Sequence, residues 1–312
     1  MKKLSNRQEE FIKYHKEGDG DCNGQVLREY ASEHCRSEQD YFDLAYFYST
    51  AYCCASAVFM YENRERIEED ARSFAEEYKK RLIFQSDRKY VAMLDNFRKM
   101  LETWRTGLNR SAGKFRKAFV KGNAIDISRA ILEIEQWFFF SRFSAYLFVE
   151  TYCDIYGLNG TRGKNLSYEG DSMTFVGGLF YVYGMDEDAR YVQKRHKIPV
   201  DIATLEFLIT DLQDAVKEAG GDDNFTKLET SLCAYEKFFK GTRYNGYYAD
   251  RQLQELVSMK SVKEFARACE EVYEARAKAI PARYLGERNG WDGIRRELKR
   301  SYIERGEIIG LA

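Results

Sequence analysis

Proline interrupts this chain of 312 residues only twice, at Pro199 and Pro281. Proline removes a backbone donor and clashes with the preceding helical turn, so a chain nearly free of it can run long helices. Few other breaks are present, and Tyr and Phe recur at helical spacing along most of the length. Such a chain is expected to be all-α: one multi-helix globular domain of residues 1–312, built round a central hydrophobic helix, with irregular glycine-rich loops forming a cleft. Within it, residues 1–120 are a possible N-terminal helical subdomain and 121–312 the catalytic core.

The central helix is expected from Asp126 to Gly157, where W-F-F-F-S-R-F-S-A-Y-L-F-V-E is apolar nearly all round. Its embedded Glu135 and Arg142 each require a partner from elsewhere, because an isolated buried charge is costly. A second long helix is expected from Asp40 to Phe84, and a third carries Val91, Leu94, Phe97, Leu101 and Trp104. The least regular stretch follows Gly157, N-G-T-R-G-K-N-L-S-Y-E-G-D-S-M-T-F-V-G-G-L-F, where the cations Arg162 and Lys164 and backbone amides could converge on phosphate. Further helices are expected at 186–195, 201–218, 224–240, 246–257 and 261–280, with breaks at Pro199 and Gly220-Gly221.

The formal net charge of -1 conceals local bias. From Arg88 to Lys121 the bases Arg88, Lys89, Arg98, Lys99, Arg105, Arg110, Lys114, Arg116, Lys117 and Lys121 face only Asp95 and Glu102. A block of that kind attracts a polyanion or forms a solvated helix face, and the sequence admits both. The seven cysteines include no C-x-x-C pair and suit reduced thiols in a cytoplasm, the host's if the protein is viral. No apolar run approaches the ~20 residues of a membrane span, so no membrane partner is expected.

Standard catalytic signatures are missing. His15, His34 and His196 are the only histidines, and none lies in H-E-x-x-H or E-x-x-H. No phosphate-binding G-x-x-x-x-G-K-[ST], strand-linked G-x-G-x-x-G or G-x-S-x-G elbow occurs. Nothing calls for a metal or another cofactor. Attention falls instead on Glu229 to Arg251, E-T-S-L-C-A-Y-E-K-F-F-K-G-T-R-Y-N-G-Y-Y-A-D-R. Glu229, Cys233 and Lys237 recur every four residues and share one helix face, while Leu228, Leu232, Tyr235 and Phe239 line another. The glycine-bounded turn after Lys240 offers Arg243, Tyr244 and Tyr247, and a new helix opens with Asp250 and Arg251. Plainer roles are open to the same residues. T-K-L-E from Thr226 fits a capping box that would occupy Glu229, Arg251 and Glu255 fit an exposed i,i+4 pair, and Cys233 fits a small buried residue as well as a nucleophile.

Three motifs carry a resemblance: E-x-x-L-C-x-Y-x-K at Glu229 to Lys237, G-x-R-Y-x-G-Y-x-x-D-R at Gly241 to Arg251, and L-G-E-x-x-G-W-x-G-I-R at Leu285 to Arg295. Together with S-R-F-S-A-Y at Ser141 to Tyr146, they resemble the phage amino-acid:DNA transferase family of thymine hypermodification, which is related to the alpha-glutamyl/putrescinyl thymine pyrophosphorylase-like helical proteins. The resemblance spans roughly residues 130–305. It implies that an amino acid's amine displaces pyrophosphate from 5-pyrophosphoryloxymethyluracil in DNA, so the expected partners are DNA carrying a modified thymine and a free amino acid. On that reading Glu229, Asp250 and Arg251 are catalytic, and Arg142, Asp171, Lys237, Arg243, Tyr244, Tyr247 and Trp291 bind substrate. Two other readings stand beside it: a helical DNA glycosylase-like base enzyme, and a non-catalytic nucleic-acid-binding helical module.

Overall fold

A computed structural model describes residues 4–17, 22–85, 90–137, 142–161, 173–195, 197–240, 243 and 246–285. In chain order the helices are α1 (Asn6–Glu17), α2 (Asn23–His34), α3 (Glu38–Ala51), α4 (Cys54–Glu62), α5 (Arg64–Tyr78), α6 (Leu94–Thr103), α7 (Ala112–Phe119), α8 (Ile127–Trp137) and α9 (Arg142–Tyr156). After them come α10 (Met173–Val182), α11 (Asp186–Arg195), α12 (Ile202–Glu218), α13 (Phe225–Phe239), α14 (Tyr247–Lys260), α15 (Ala266–Ala279) and α16 (Ala282–Leu285). The fold is all-α, and the strands among the described residues are three short ones: β1 (Val120–Lys121), β2 (Ala124–Asp126) and β3 (Asn159–Thr161). No helix of the described residues is long and apolar enough to cross a membrane.

The described residues gather into two compact units. The first holds α1, α10–α13 and the start of α14 through Asp250; the second holds α2–α9, the three strands, α14 from Arg251 onward, α15 and α16. Residue 120 falls inside the second unit, at the start of β1.

In the second unit α9 lies against α2, α3 and α8, so the hydrophobic segment does occupy a centre. Phe42 of α3, Phe115 of α7 and Phe148 and Tyr152 of α9 meet there, with Phe42–Phe148 and Phe115–Tyr152 centroids both 5.0 Å apart. Edge-to-face pairs of this kind add about 0.5–1.5 kcal/mol each beyond the area they bury. Of the helix expected from Asp126 to Gly157, the described residues give α8 and α9 as two elements packed on each other, and Asp126 belongs to a strand. Ala124–Asp126 form β2, antiparallel to β1 through a turn at Gly122 (φ 60°) and parallel to β3, with Ile125 opposite Val120 on one side and Gly160 on the other. The W-F-F-F run extends from the end of α8 into residues outside those described.

The helix expected from Asp40 to Phe84 is also broken. Ser37 and Asp40 start α3 with a reciprocal capping box: Asp40 N–H donates to Ser37 Oγ at 3.2 Å, and Ser37 N–H donates to Asp40 Oδ2 at 2.8 Å. It ends at Tyr52, which is left-handed (φ 56°, ψ 35°) and donates its N–H to Tyr48 O. A second interruption at Asn63 separates α4 from α5.

In the first unit α10 packs on α11 and α13, and α1 packs across α10, α12 and α13. Phe11 and Tyr14 of α1 meet Tyr235 and Phe238 of α13, with centroids 5.3 Å (Phe11–Tyr235) and 4.9 Å (Tyr14–Phe238) apart. The sequence placed M-T-F-V-G-G-L-F in an irregular stretch, yet it forms α10. Two glycines cost helix propensity, but here they let two helices approach closely. A Cβ built on Gly178 would lie 2.1 Å from the Leu232 carbonyl oxygen, and one on Gly177 would lie 2.7 Å from Glu236 Oε1.

Candidate functional site

In the first unit the site is organised by α13. Asn224 is its cap, with Oδ1 accepting from the Thr226 N–H at 3.3 Å, so the capping box expected from Thr226 and Glu229 is not formed. Glu229 is thereby released to a buried position one turn inside the helix. Its Oε1 accepts from the Cys233 thiol at 3.2 Å. A carboxylate beside a thiol opposes thiolate formation, which is the reverse of what a cysteine nucleophile needs. One further turn on, Lys237 is half-buried, with Nζ 3.4 Å from the Tyr248 hydroxyl. Burial works against the ammonium, but the Tyr248 phenol and the Cys233 thiol outweigh it, and the Lys237 pKa is raised.

Arg243 adds a second positive charge whose field reaches Lys237. Its guanidinium sits 4.0 Å over the Tyr247 ring, and Tyr247 stands perpendicular to Tyr248 at 5.5 Å. Gly246, with φ of 89°, supplies the left-handed turn from which α14 starts; its carbonyl accepts the Asp250 N–H at 2.9 Å. Asp250 is buried in the first turn. Behind this face, buried Glu236 pairs with Lys240 Nζ at 2.8 Å, and burial pushes its carboxyl up against the opposing pull of Lys240 and Lys237.

In the second unit a separate group forms round Arg251. Its Nε lies 3.5 Å from Glu255 Oε1, but the side chains are only 18% and 9% exposed, so this is not the solvated pair the spacing suggested. Glu255 also accepts from Gln85 Nε2. Burial, reinforced by the Glu255 carboxylate, pushes the neighbouring Cys53 thiol well up. The Arg251 guanidinium lies 5.2 Å from the centre of the Tyr52 ring, and Tyr52 meets Phe143 of α9 at 6.3 Å and 71°. Left-handed backbone costs an L-residue about 1–2 kcal/mol, and Tyr52 is the sole non-glycine residue among those described with positive φ. Thus the aromatic-arginine segment at 141–146 and Arg251 converge on a residue no motif contained.

A buried polar chain supports that group from behind. Gln252 Nε2 donates to Asn23 Oδ1 at 2.8 Å, Cys54 Sγ approaches the same oxygen at 3.3 Å, and Arg276 Nε donates to Gln252 Oε1 at 2.6 Å. Both terminal nitrogens of Arg276 then reach the Leu285 carbonyl at 3.3 Å. Arg276 therefore ties the residue following Arg251 to the start of the L-G-E motif.

The residues expected from sequence thus fall into two groups: Glu229, Lys237, Arg243, Tyr247 and Asp250 in the first unit, and Arg251 in the second. Arg142 opens α9, but its side chain lies outside what is described, as do Asp171, Tyr244 and Trp291 altogether. Tyr248, Tyr52, Gln85 and Arg276 were not among the site residues expected from sequence. Among the described residues no group of three or more His, Cys, Asp or Glu is arranged to hold a metal ion. Comparison with protein-family models, curated proteins and solved structures finds no match to the chain.

Proposed function

We propose that the protein is an amino-acid:DNA transferase, joining an amino acid's amine to 5-pyrophosphoryloxymethyluracil in DNA with release of pyrophosphate. One observation carries the reading beyond the motif resemblance. Lys237 Nζ stands 3.4 Å from the Tyr248 hydroxyl and the Arg243 guanidinium lies 4.0 Å over the Tyr247 ring, which meets Tyr248 at 5.5 Å, so two adjoining rings set two cations on the same unit, where an anion could answer both. A departing pyrophosphate is such an anion, and a guanidinium matches its oxygens bidentately. In the reaction the amine nitrogen forms a bond to the exocyclic methylene carbon as the C–O bond to pyrophosphate breaks. The electron pair leaves with pyrophosphate, and the surplus amine proton passes to a carboxylate, for which Glu229 on the Lys237 face and Asp250 in the same unit are the candidates. Arg251, packed against Glu255 and Tyr52, is given no step.

The test is to supply purified protein with DNA bearing the pyrophosphorylated base and each amino acid in turn, following pyrophosphate and the mass of digested nucleosides. Pyrophosphate release with a nucleoside heavier by the amino acid is expected. Absence of a mass change with every amino acid refutes the reading. Lys237→Met should lower turnover by about 10²-fold or more, the scale found when one preorganised charge-stabilising group is removed from a site.

A further inference from the structure

Helices α4 and α15 of the second unit pack on one another with a carboxyl group from each at the seam. Glu62 closes α4 and Glu271 lies in the second turn of α15, and their side chains are only 15% and 16% exposed. Arg267, one turn before Glu271, serves both: its Nε lies 3.3 Å from Glu62 Oε1 and donates to Glu271 Oε1 at 3.0 Å. That guanidinium is 76% exposed, so water screens it, and one cation balances at most one of two carboxylates. Glu62 Oε1 and Glu271 Oε2 are moreover buried without a hydrogen-bond donor, while the two carboxyl groups lie within hydrogen-bonding reach of each other. Two carboxylates offer no proton to place between them; a carboxyl and a carboxylate do.

The charges nearby leave that arrangement in place. The groups facing the pair are Arg267 itself and Tyr30 of α2, with Cys35 and the stacked His34 ring behind Tyr30. Burial pushes the Tyr30 phenol and the Cys35 thiol up, so both stay neutral. Arg64 at the start of α5 pairs with Asp40, Glu264 before α15 pairs with Arg81, and Lys278 of α15 pairs with Glu33 of α2. Burial and the facing Glu271 carboxyl push Glu62 up to about 8, against the pull of Arg267.

We propose that Glu62 and Glu271 share one proton and so form a pH-sensitive latch between α4 and α15, closed at neutral pH and released as the pair ionises. A carboxyl raised on folding stabilises fully below its ordinary 4.5 and loses that contribution as pH rises through about 8. The helix released carries Arg276, which holds Gln252 and the Leu285 carbonyl, so the latch bears on the element that anchors the buried polar chain. It stands on the packing of the second unit alone and does not depend on the transferase reading.

The test is hydrogen exchange of the full-length protein from pH 7 to 9, read on peptides of α15 and corrected for the intrinsic pH dependence of exchange. Protection should fall about tenfold more in the unsubstituted protein than in Glu62→Gln, whose amide can donate to Glu271 at any pH. Asp43 is common to both proteins and drops out of the comparison. Glu271→Gln should give the same flat profile. Arg267→Gln, at an exposed side chain, should move the loss to higher pH, because the cation opposes protonation of the pair. An equal decline in the unsubstituted protein and Glu62→Gln overturns the latch. So does an unsubstituted protein whose protection holds to pH 9, or an Arg267→Gln protein whose loss stays at the same pH or moves lower.

Discussion

The close approach of α10 to α13 gives a prediction in which adjacent glycines should behave oppositely. Alanine at a helical glycine gains up to about 1 kcal/mol of propensity where nothing obstructs the methyl group. At Gly178 the new Cβ would lie 2.1 Å from the Leu232 carbonyl oxygen and 2.7 Å from its carbon, both backbone atoms of a buried helix. Reaching ordinary contact requires the helices to part by more than 1 Å, and overpacking of this kind costs about 1–3 kcal/mol or more. Gly178→Ala should therefore lower the local stability of α10 and α13 by about 1–2 kcal/mol net. At Gly177 the obstructing atom is Glu236 Oε1 at 2.7 Å, at the end of a side chain that can rotate at the expense of its bond to Lys240. Gly177→Ala should be near neutral. Hydrogen exchange resolved to peptides of α10 and α13 measures the opening free energy where the change occurs. Because α13 carries Glu229, Cys233 and Lys237, Gly178→Ala should also lower any turnover more than Gly177→Ala does. Equal protection in the two variants, or greater protection in Gly178→Ala than in the unsubstituted protein, refutes the reasoning.

Titration should act on the two units with opposite signs. Burial pushes the Asp43 carboxyl up from 3.8 to about 7 even though Trp104 Nε1 and Gln39 Nε2 both donate to it at 2.7 Å, so the folded second unit binds the extra proton. Its contribution is full below pH 3.8 and is lost as pH rises through 7, about 2 kcal/mol of it between pH 5.5 and 8; Asp43→Asn should flatten urea-unfolding stability over that range. His15 of the first unit is depressed, chiefly by burial, with ring nitrogens 2.8 Å from Ser231 Oγ and 2.7 Å from the Asp222 carbonyl. That group stabilises fully above its ordinary 6.5 and less as pH falls below it, so exchange protection of α1 should decline from pH 7 to pH 5 in excess of any change in His15→Gln. Gln252→Leu strips partners from buried Asn23 and Arg276 together and should cost about 2–4 kcal/mol in urea unfolding; a loss under 1 kcal/mol would show that the chain to Leu285 is dispensable.

How much of this was legible in the sequence varies by element. The helices from 186 to 260 follow local signals: Pro199, the Asp201 cap, Gly220-Gly221, the Asn224 cap and the positive φ of Gly246. The common face of Glu229, Cys233 and Lys237 came from four-residue arithmetic, and the Glu229–Cys233 contact agrees with it. What escaped depends on long-range packing. The break at Tyr52 has no glycine to announce it, and α10 keeps its glycines because α13 lies against them. The sequence began a helix at Asp126, the last residue of β2, because the strand's parallel partner β3 lies more than 30 residues away. The Gln85–Glu255 contact joins residues 170 positions apart, a separation no local pattern encodes. The alternative left open for Glu229 was decided locally: the cap lies at Asn224, two residues before Thr226, and the Glu229 carboxylate is not used to cap the helix.

The basic block from Arg88 to Lys121 shows the same limit applied to charge. Counted along the chain it outnumbers its acids heavily, but acids from other parts of the chain meet it in space. Arg98 pairs with Glu76 and Asp95, Arg105 with Glu102 at 2.9 Å, Arg110 with Glu68 at 3.7 Å and Arg116 with Glu38 at 3.1 Å. Partly exposed pairs of this kind contribute little stability, about 0–1 kcal/mol each. Their effect on the field is larger, since each cancels most of a charge at distances beyond the pair itself. The arginines of α6 and α7 are thus already met by acids, so less of their charge is left for a polyanion than the count along the chain suggests.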